Sequence, residues 1–141
     1  MDSPREDTLR NIVPVINLID HPIDPSIYRA GIAETETGAV VEFFGIVRGT
    51  EDGQPIRGIS YEAFQEMAHE ELARIAADMI KEFALTELIC LHRVGFVAAG
   101  ETSVYLRVAA SHRAEAFEAS GKFIDRLKAS VPIWKHPVGN E

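Results

Sequence analysis

The chain has 141 residues, of which 46% are hydrophobic and 26% are charged, and its formal net charge is −8. This composition is typical of a soluble globular protein, and the length predicts one domain over residues 1–141. The negative charge argues against a nucleic-acid-binding or anionic-membrane surface, and no apolar run approaches the roughly 20 residues that span a bilayer. The single cysteine, Cys90, cannot form an internal disulfide, which favours a reducing cytoplasm as the location.

The first half of the chain predicts three strands and one short helix. Asp24 is a suitable N-cap and Pro25 suits the first helical position, so a helix is expected to begin there. The Asp52-Gly53 pair predicts a hairpin connection. The predicted elements are a strand at 13–19, a helix from 24 to about 34, a strand at 39–48 and a strand at 56–64.

The second half predicts two longer helices and three strands. Apolar residues recur at helical spacing over 65–84, with Met67 on the core face. Strands are predicted at 87–97, 102–110 and 132–136, and Ser111 is expected to cap a third helix whose core face includes Phe117. The resulting order is βαββαββαβ. It predicts an α+β fold in which three helices pack on a largely antiparallel sheet.

Positive charge is concentrated near the C-terminus. Residues 1–104 contain 8 Lys+Arg and 18 Asp+Glu, whereas residues 105–141 contain 6 and 4. A locally cationic segment on an acidic body favours a small anionic ligand in a pocket over a polyanion on a surface.

Three cationic residues are candidates for binding that anion. His112 and Arg113 open the third helix, where cations oppose the helix dipole and free N–H groups attract anions. A phosphate at this position would resolve the conflict, although both side chains could equally extend into water. Arg48 follows an apolar strand and is either a strand terminator or a ligand clamp at the end of the sheet.

Two of the four lysines, Lys128 and Lys135, bracket an apolar Val-Pro-Ile-Trp segment. Pro132 ends the preceding helix and turns the chain, so both ammonium groups can approach one site. Paired lysines beside apolar bulk suit nucleophilic or acid–base chemistry. On spacing alone, however, an ordinary helix-end cation and a solvated strand residue are favoured.

Other common site types find no support in the sequence. The histidines show no metal-ligand spacing, and there is no Gly-rich phosphate loop, so neither a metal nor a cofactor is expected. The His92-Arg93 pair interrupts an apolar strand, where a structural role is favoured. Tyr61 and Glu62 are interpreted as a cross-strand packing pair.

A set of motifs in fixed order resembles one family, the MoaE family, which comprises the large, catalytic subunit of molybdopterin synthase. The resemblance covers about residues 38–136 and is most specific in its last segment. The motifs are Gly45-x-Val47-Arg48, Tyr61-Glu62-Ala63-Phe64 with Met67-Ala68, His92-Arg93-x-Gly95, Gly100-Glu101, His112-Arg113-x-x-Ala116-Phe117 and Lys128-x-x-Val131-Pro132-Ile133-Trp134-Lys135.

The resemblance implies a sulfurtransferase. In that family the large subunit forms a central homodimer, and a small ubiquitin-like subunit inserts its Gly-Gly C-terminus, carried as a thiocarboxylate, into each active site. Sulfur passes to cyclic pyranopterin monophosphate and forms the dithiolene of molybdopterin. The family's catalytic lysines match Lys128 and Lys135, and its anion-binding residues match Arg48, His112 and Arg113.

Two other functions remain open on the sequence. A non-catalytic adaptor could bind a ubiquitin-like tail without acting on a pterin, although it would not need the paired lysines. A lysine enzyme forming a Schiff base with a sugar phosphate is the third possibility. The residues after Lys135 depart from the longer charged tail of many family members, so a smaller pocket rim or altered partner binding is expected.

Overall fold

The computed structural model describes residues 12–28 and 35–140, which form strands, two α-helices and one 3₁₀ helix. The α-helices are α1 (Gln65–Phe83) and α2 (Arg113–Ser130), and the 3₁₀ helix is Pro25–Tyr28. The strands are β1 (Val15–Ile19), β2 (Ala39–Ile46), β3 (Thr50–Glu51), β4 (Gln54–Ala63), β5 (Glu87–Arg93), β6 (Gly95–Ala98), β7 (Thr102–Ala110) and β8 (Ile133–Gly139).

The strands form two sheets rather than the one expected. The first sheet has the order β1-β5-β7-β2, in which only the β1–β5 pair is parallel. The second sheet is built around β4, which pairs antiparallel with β3, β6 and β8. The α+β class and the mainly antiparallel pairing are therefore confirmed.

The predicted strand at 87–97 is divided between the two sheets, and this division corrects the sequence interpretation. Residues 87–92 of β5 pair with β7 in the first sheet, whereas β6 pairs with β4 in the second. Gly95, at the start of β6, has φ = 85°, a conformation that favours glycine and lets the chain change sheets. The hairpin at Asp52-Gly53 is confirmed, with positive φ at both residues and β3 paired to β4 across it.

The helix count also differs from the prediction. The first predicted helix is seen as the 3₁₀ turn, where the Asp24 carboxylate accepts hydrogen bonds from the backbone N–H and hydroxyl of Ser26; residues 29–34 of that prediction lie outside the described residues. Ser111 is not the cap of α2, since His112 occupies the N-cap position and makes no side-chain capping bond. Among the described residues, no helix is long and apolar enough to cross a membrane.

Both helices pack on one face of the first sheet and form the main core. Buried side chains from α1, α2, β5 and β7 contribute, among them Leu72, Met79, Leu106 and Phe123. Met67 and Phe117 were expected in this core but are 60% and 64% exposed. Each lies in the early part of its helix, at the edge of the buried face.

Truncation of Phe123 tests this packing. Phe123 is fully buried between the helices and the first sheet, so Phe123→Ala should lower the free energy of unfolding by about 3–5 kcal/mol. Phe117→Ala on the same helix is the matched control and should change it by no more than about 0.5 kcal/mol. Urea unfolding of both variants measures the difference, and equal effects would contradict the described helix face.

Candidate active site

A cavity of about 570 Å³ lies where the end of β2, the second sheet and the C-terminal half of α2 meet. Its volume is within the range of small-molecule sites. Its apolar lining includes Phe43, Phe44, Ile59, Ile124, Leu127 and Ile133. Its polar lining consists of Arg48, Glu51, Tyr61, His92, Ser103, Lys128 and Lys135.

The turn after α2 brings the two lysines to this cavity. Lys128 is in the last turn of α2, and Val131, before Pro132, adopts an extended conformation with φ = −80° and ψ = 130°. The chain then enters β8, which pairs antiparallel with β4 and places Lys135 directly opposite Tyr61. Residues opposite each other in a sheet share a face, so Lys135 and Tyr61 both line the cavity.

An irregularity in β2 places Arg48 at the same cavity. The β2–β7 register shifts between Gly45 and Ile46, and the Ser103 hydroxyl donates a hydrogen bond of 3.1 Å to the Gly45 carbonyl. A Cβ atom at Gly45 would lie 2.5 Å from Cγ1 of Val104, so glycine permits the close approach. Arg48 follows this bulge and lines the cavity together with both lysines.

The cavity is positively charged. Arg48, Lys128 and Lys135 face it, whereas Glu51 is the only carboxylate among residues 12–28 and 35–140 that lines it. None of the three cations makes a salt bridge or a side-chain hydrogen bond with any part of the chain that the structure describes. Unpaired cations beside apolar walls favour an anionic ligand.

His112 and Arg113 do not reach this cavity within one chain. They lie at the opposite end of α2, and the separation of 15 residues from Arg113 to Lys128 corresponds to about 22 Å along the helix. His112 lines a separate depression with Phe83 and Glu115, and its Nδ1 lies 3.7 Å from the Glu115 carboxylate. The sequence motif alone did not show that His112 and Arg113 lie at one end of α2 and Lys128 at the other.

His92 is a cavity residue that sequence reasoning had assigned to structure. It is only 5% exposed, and its ring meets that of Tyr61 edge-on with centroids 5.3 Å apart. Its Nδ1 lies 2.8 Å from the Arg93 carbonyl oxygen, to which it donates a hydrogen bond. Burial lowers the pKa of His92, and the bond to the Arg93 carbonyl opposes that shift only in part. Strand alternation puts His92 on the same face as the buried Leu88 and Cys90, which predicts its burial but not the cavity.

An exposed apolar cluster lies near the start of β8. The rings of Phe64 and Trp134 meet edge-on with centroids 5.2 Å apart, and these side chains are 62% and 43% exposed. Met67, one helical turn beyond Phe64, is 60% exposed. Trp134 directly precedes Lys135, which lines the cationic cavity, so the cluster is adjacent along the chain to a cavity residue. Exposed apolar surface of this kind suits a protein partner.

Comparisons with known proteins identify relatives over most of the chain. The model of the MoaE protein family matches residues 18–130. A molybdopterin synthase catalytic subunit from Pyrococcus abyssi is 35% identical over 128 residues, covering 89% of this chain and 86% of that protein. One from Caulobacter vibrioides is 35% identical over 129 residues, covering 90% and 85%.

Solved structures show the same fold. A molybdopterin synthase structure from Staphylococcus aureus superimposes with a TM-score of 0.81 at 30% identity, covering 88% of this chain and 90% of that one. A complex of subunits 1 and 2 of molybdopterin-converting factor from Helicobacter pylori gives a TM-score of 0.73 at 25% identity, covering 86% and 83%.

Proposed function

The chain belongs to the MoaE protein family and functions as a catalytic subunit of molybdopterin synthase, and we propose that its cationic cavity is where sulfur is transferred. The sulfur donor is the C-terminal thiocarboxylate of a small ubiquitin-like subunit, and the acceptor is cyclic pyranopterin monophosphate. The observation that carries the proposal is the convergence of Lys128, Lys135 and Arg48 on one cavity.

The charges of the cavity suit these two reactants because both are anions. Arg48 would hold the substrate phosphate, contributing mostly to its position. Lys128 would act at the reacting carbons or at the thiocarboxylate, as acid–base catalyst or transient nucleophile. Lys135 would stabilise the negative charge that develops as the acyl carbon is attacked. The apolar walls would pack against the pterin ring.

The small subunit is proposed to dock over the apolar cluster of Phe64, Met67 and Trp134. This surface borders Lys135 in sequence, so a partner seated on it could direct an extended C-terminal tail into the cavity. Glycine residues at the end of such a tail would pass a narrow entrance, since they carry no side chains. The complex formed by the Helicobacter pylori relative supports a partner of this kind.

We also propose a homodimer, with contacts through strands. β1 and β2 are the two edge strands of the first sheet, and β2 is the edge whose large apolar side chains Val40, Phe43, Phe44 and Ile46 are 37–49% exposed. An apolar edge strand of this length favours pairing with another chain. A second protomer at this edge would lie beside the cavity, and it could supply the His112 and Arg113 that one chain holds about 22 Å away.

The dimer predicts a definite mass. Light scattering on the isolated chain at micromolar concentration should give about twice 15.6 kDa, because the exposed β2 edge is covered only when two copies associate. Phe44→Lys, at the edge, should shift the mass towards that of one chain, whereas Lys81→Ala on α1 should not. A wild-type monomer under these conditions would contradict the dimer.

Turnover separates this function from the adaptor alternative. The chain, a thiocarboxylated small subunit and cyclic pyranopterin monophosphate should together yield the dithiolene product. An adaptor would bind the small subunit but leave both the thiocarboxylate and the pterin unchanged.

The single buried cysteine, unpaired, supports the proposed location in the reducing cytoplasm.

A further inference from the structure

We propose that His92 is a further catalytic residue of this site, whose Nε2 atom accepts a proton from the water molecule that releases the small subunit's tail. The inference rests on the proposed function, because it concerns the acyl link that sulfur transfer creates. When the thiocarboxylate sulfur bonds to a substrate carbon, the tail and the substrate become joined as a thioester. A water molecule must then cleave the bond between the acyl carbon and sulfur.

The position of His92 gives it a fixed tautomer. Nδ1 donates its hydrogen to the Arg93 carbonyl at 2.8 Å, so in the neutral ring the lone pair is on Nε2. Nε2 has no hydrogen-bond partner among the described residues. It is also not one of the fully buried polar atoms that lack a partner, so part of its surface is accessible. Because the ring is otherwise buried and lines the cavity, Nε2 is open to the cavity itself.

The other polar groups of the cavity are poorer candidates for a base. Arg48 and Lys135 are assigned as cations, and guanidinium and ammonium groups carry only donors, while Lys128 is assigned to the preceding transfer step. The Ser103 hydroxyl is already bonded to the Gly45 carbonyl. Glu51 is the one alternative, but it is on the two-residue strand β3 at the hairpin and is not buried. The groups that face the cavity with His92 are Tyr61 from β4, Lys135 from β8, Lys128 from α2, Arg48 and Glu51 from the β2–β3 segment and Ser103 from β7.

The proposed step conserves atoms and charge. Nε2 takes one proton of the water while the water oxygen bonds to the acyl carbon. The bond from that carbon to sulfur breaks, and its electron pair stays on sulfur as a thiolate attached to the substrate. The imidazolium then returns its proton to the thiolate, which is favoured because neighbouring cations repel a charged ring. The products are the thiolated substrate and the small subunit's carboxylic acid, which loses its proton to solvent and becomes the carboxylate, and nothing is oxidised or reduced.

The ring's low pKa gives this step a characteristic pH profile. Burial keeps His92 neutral, and therefore able to accept a proton, to a lower pH than an exposed histidine. The rate of tail release should thus be constant near neutrality and fall only as the pH drops through the lowered pKa of His92. In His92→Asn this fall should be absent, because the titrating group is gone.

Single-turnover mass spectrometry of the small subunit tests the proposal with the full complex. In His92→Asn, which can still donate to the Arg93 carbonyl, the tail–substrate adduct should accumulate and its release should slow by about 10²-fold or more. Added imidazole should restore release in His92→Ala, which a purely structural role would not allow. His21→Asn, on an exposed loop outside the cavity, should behave as wild type.

The outcomes distinguish failure of the proposed His92 role from failure of the proposed function. Wild-type release in both folded His92 variants would overturn the role of His92 and leave the proposed function intact. Loss of release in Glu51→Gln, with His92→Asn unaffected, would assign the base to Glu51 instead. If the wild-type complex itself forms neither adduct nor product, the proposed function fails.

Discussion

Replacing Lys128 by alanine should abolish turnover while leaving the fold intact. The side chain is exposed at the last turn of α2 and makes no ion pair among the described residues, so its loss should change the free energy of unfolding by no more than about 0.5 kcal/mol. Its amine, however, lines the cavity where the reacting groups would meet. Loss of a nucleophile or acid–base group should lower kcat by about 10²–10⁴-fold or more.

Lys128→Arg separates chemistry from charge. Guanidinium keeps the positive charge but cannot attack a carbonyl or exchange a proton near neutral pH, so this variant should fail as well. Lys81→Ala on α1, outside the cavity, is the matched control and should retain full activity. Near-normal turnover in Lys128→Arg would leave Lys128 only an electrostatic role. Lys135→Ala should also impair product formation strongly, though less completely.

At substrate concentrations well below KM, a mixed dimer should be far more active than either parent variant. Arg113→Ala should weaken substrate binding ten- to hundredfold, since a charge-assisted contact is worth about 1.5–3 kcal/mol. If Arg113 acts in the cavity of the partner subunit, an Arg113→Ala chain paired with a Lys128→Ala chain retains one site with both residues intact. Co-expression at equal amounts should then restore roughly a quarter of wild-type activity, because half of the dimers are mixed and each has one intact site.

Arg48→Ala is the control for that experiment. Arg48 and Lys128 line the same cavity in one chain, so a chain that lacks one of them can offer no intact site. Mixed dimers of Arg48→Ala and Lys128→Ala chains should therefore stay inactive. One site of each mixed dimer would regain activity only if the partner subunit supplied Arg48. Recovery with Arg48→Ala, or its absence with Arg113→Ala, would contradict the proposed composite site.

Calorimetry examines the phosphate assignment separately. Arg113→Ala and Arg48→Ala should weaken pterin binding more than small-subunit binding, because both side chains are assigned to the phosphate. Unchanged pterin affinity combined with lost small-subunit binding would show that the two arginines serve the partner instead.

The sequence indicated that Lys128 and Lys135 can approach one site because the determinants are local, although their spacing alone favoured two separate solvated roles. Pro132 forces a turn, and an extended segment after a turn tends to pair with a nearby strand. The helices at 65–84 and after Ser111 were similarly predicted, since apolar spacing over many residues is a strong signal. Met67 and Phe117 were wrongly placed in the core because each is next to a buried alanine, Ala68 or Ala116, and one position along a helix is enough to leave the buried face.

Pairing between distant strands could not be read from the sequence. The split of the predicted strand at 87–97 depends on Gly95 and on the strand with which each half pairs. Apolar alternation does not reveal this, because it is the same in either sheet. His92 was missed for the same reason: its role depends on the cavity formed by β4, β8 and α2, which are far from it in sequence. The distance from Arg113 to Lys128, by contrast, was available from the helix length alone.

The most direct measurement follows sulfur through one reaction in the reconstituted complex. Thiocarboxylated small subunit and cyclic pyranopterin monophosphate are mixed with the wild-type chain, and the small subunit's mass and the pterin product are recorded over time. Sulfur transfer predicts that the small subunit exchanges its sulfur for oxygen while both sulfurs of the dithiolene appear on the pterin, and that neither change occurs with Lys128→Ala. A bound complex in which the thiocarboxylate persists and no dithiolene forms would contradict the assignment of the cavity as the site of sulfur transfer.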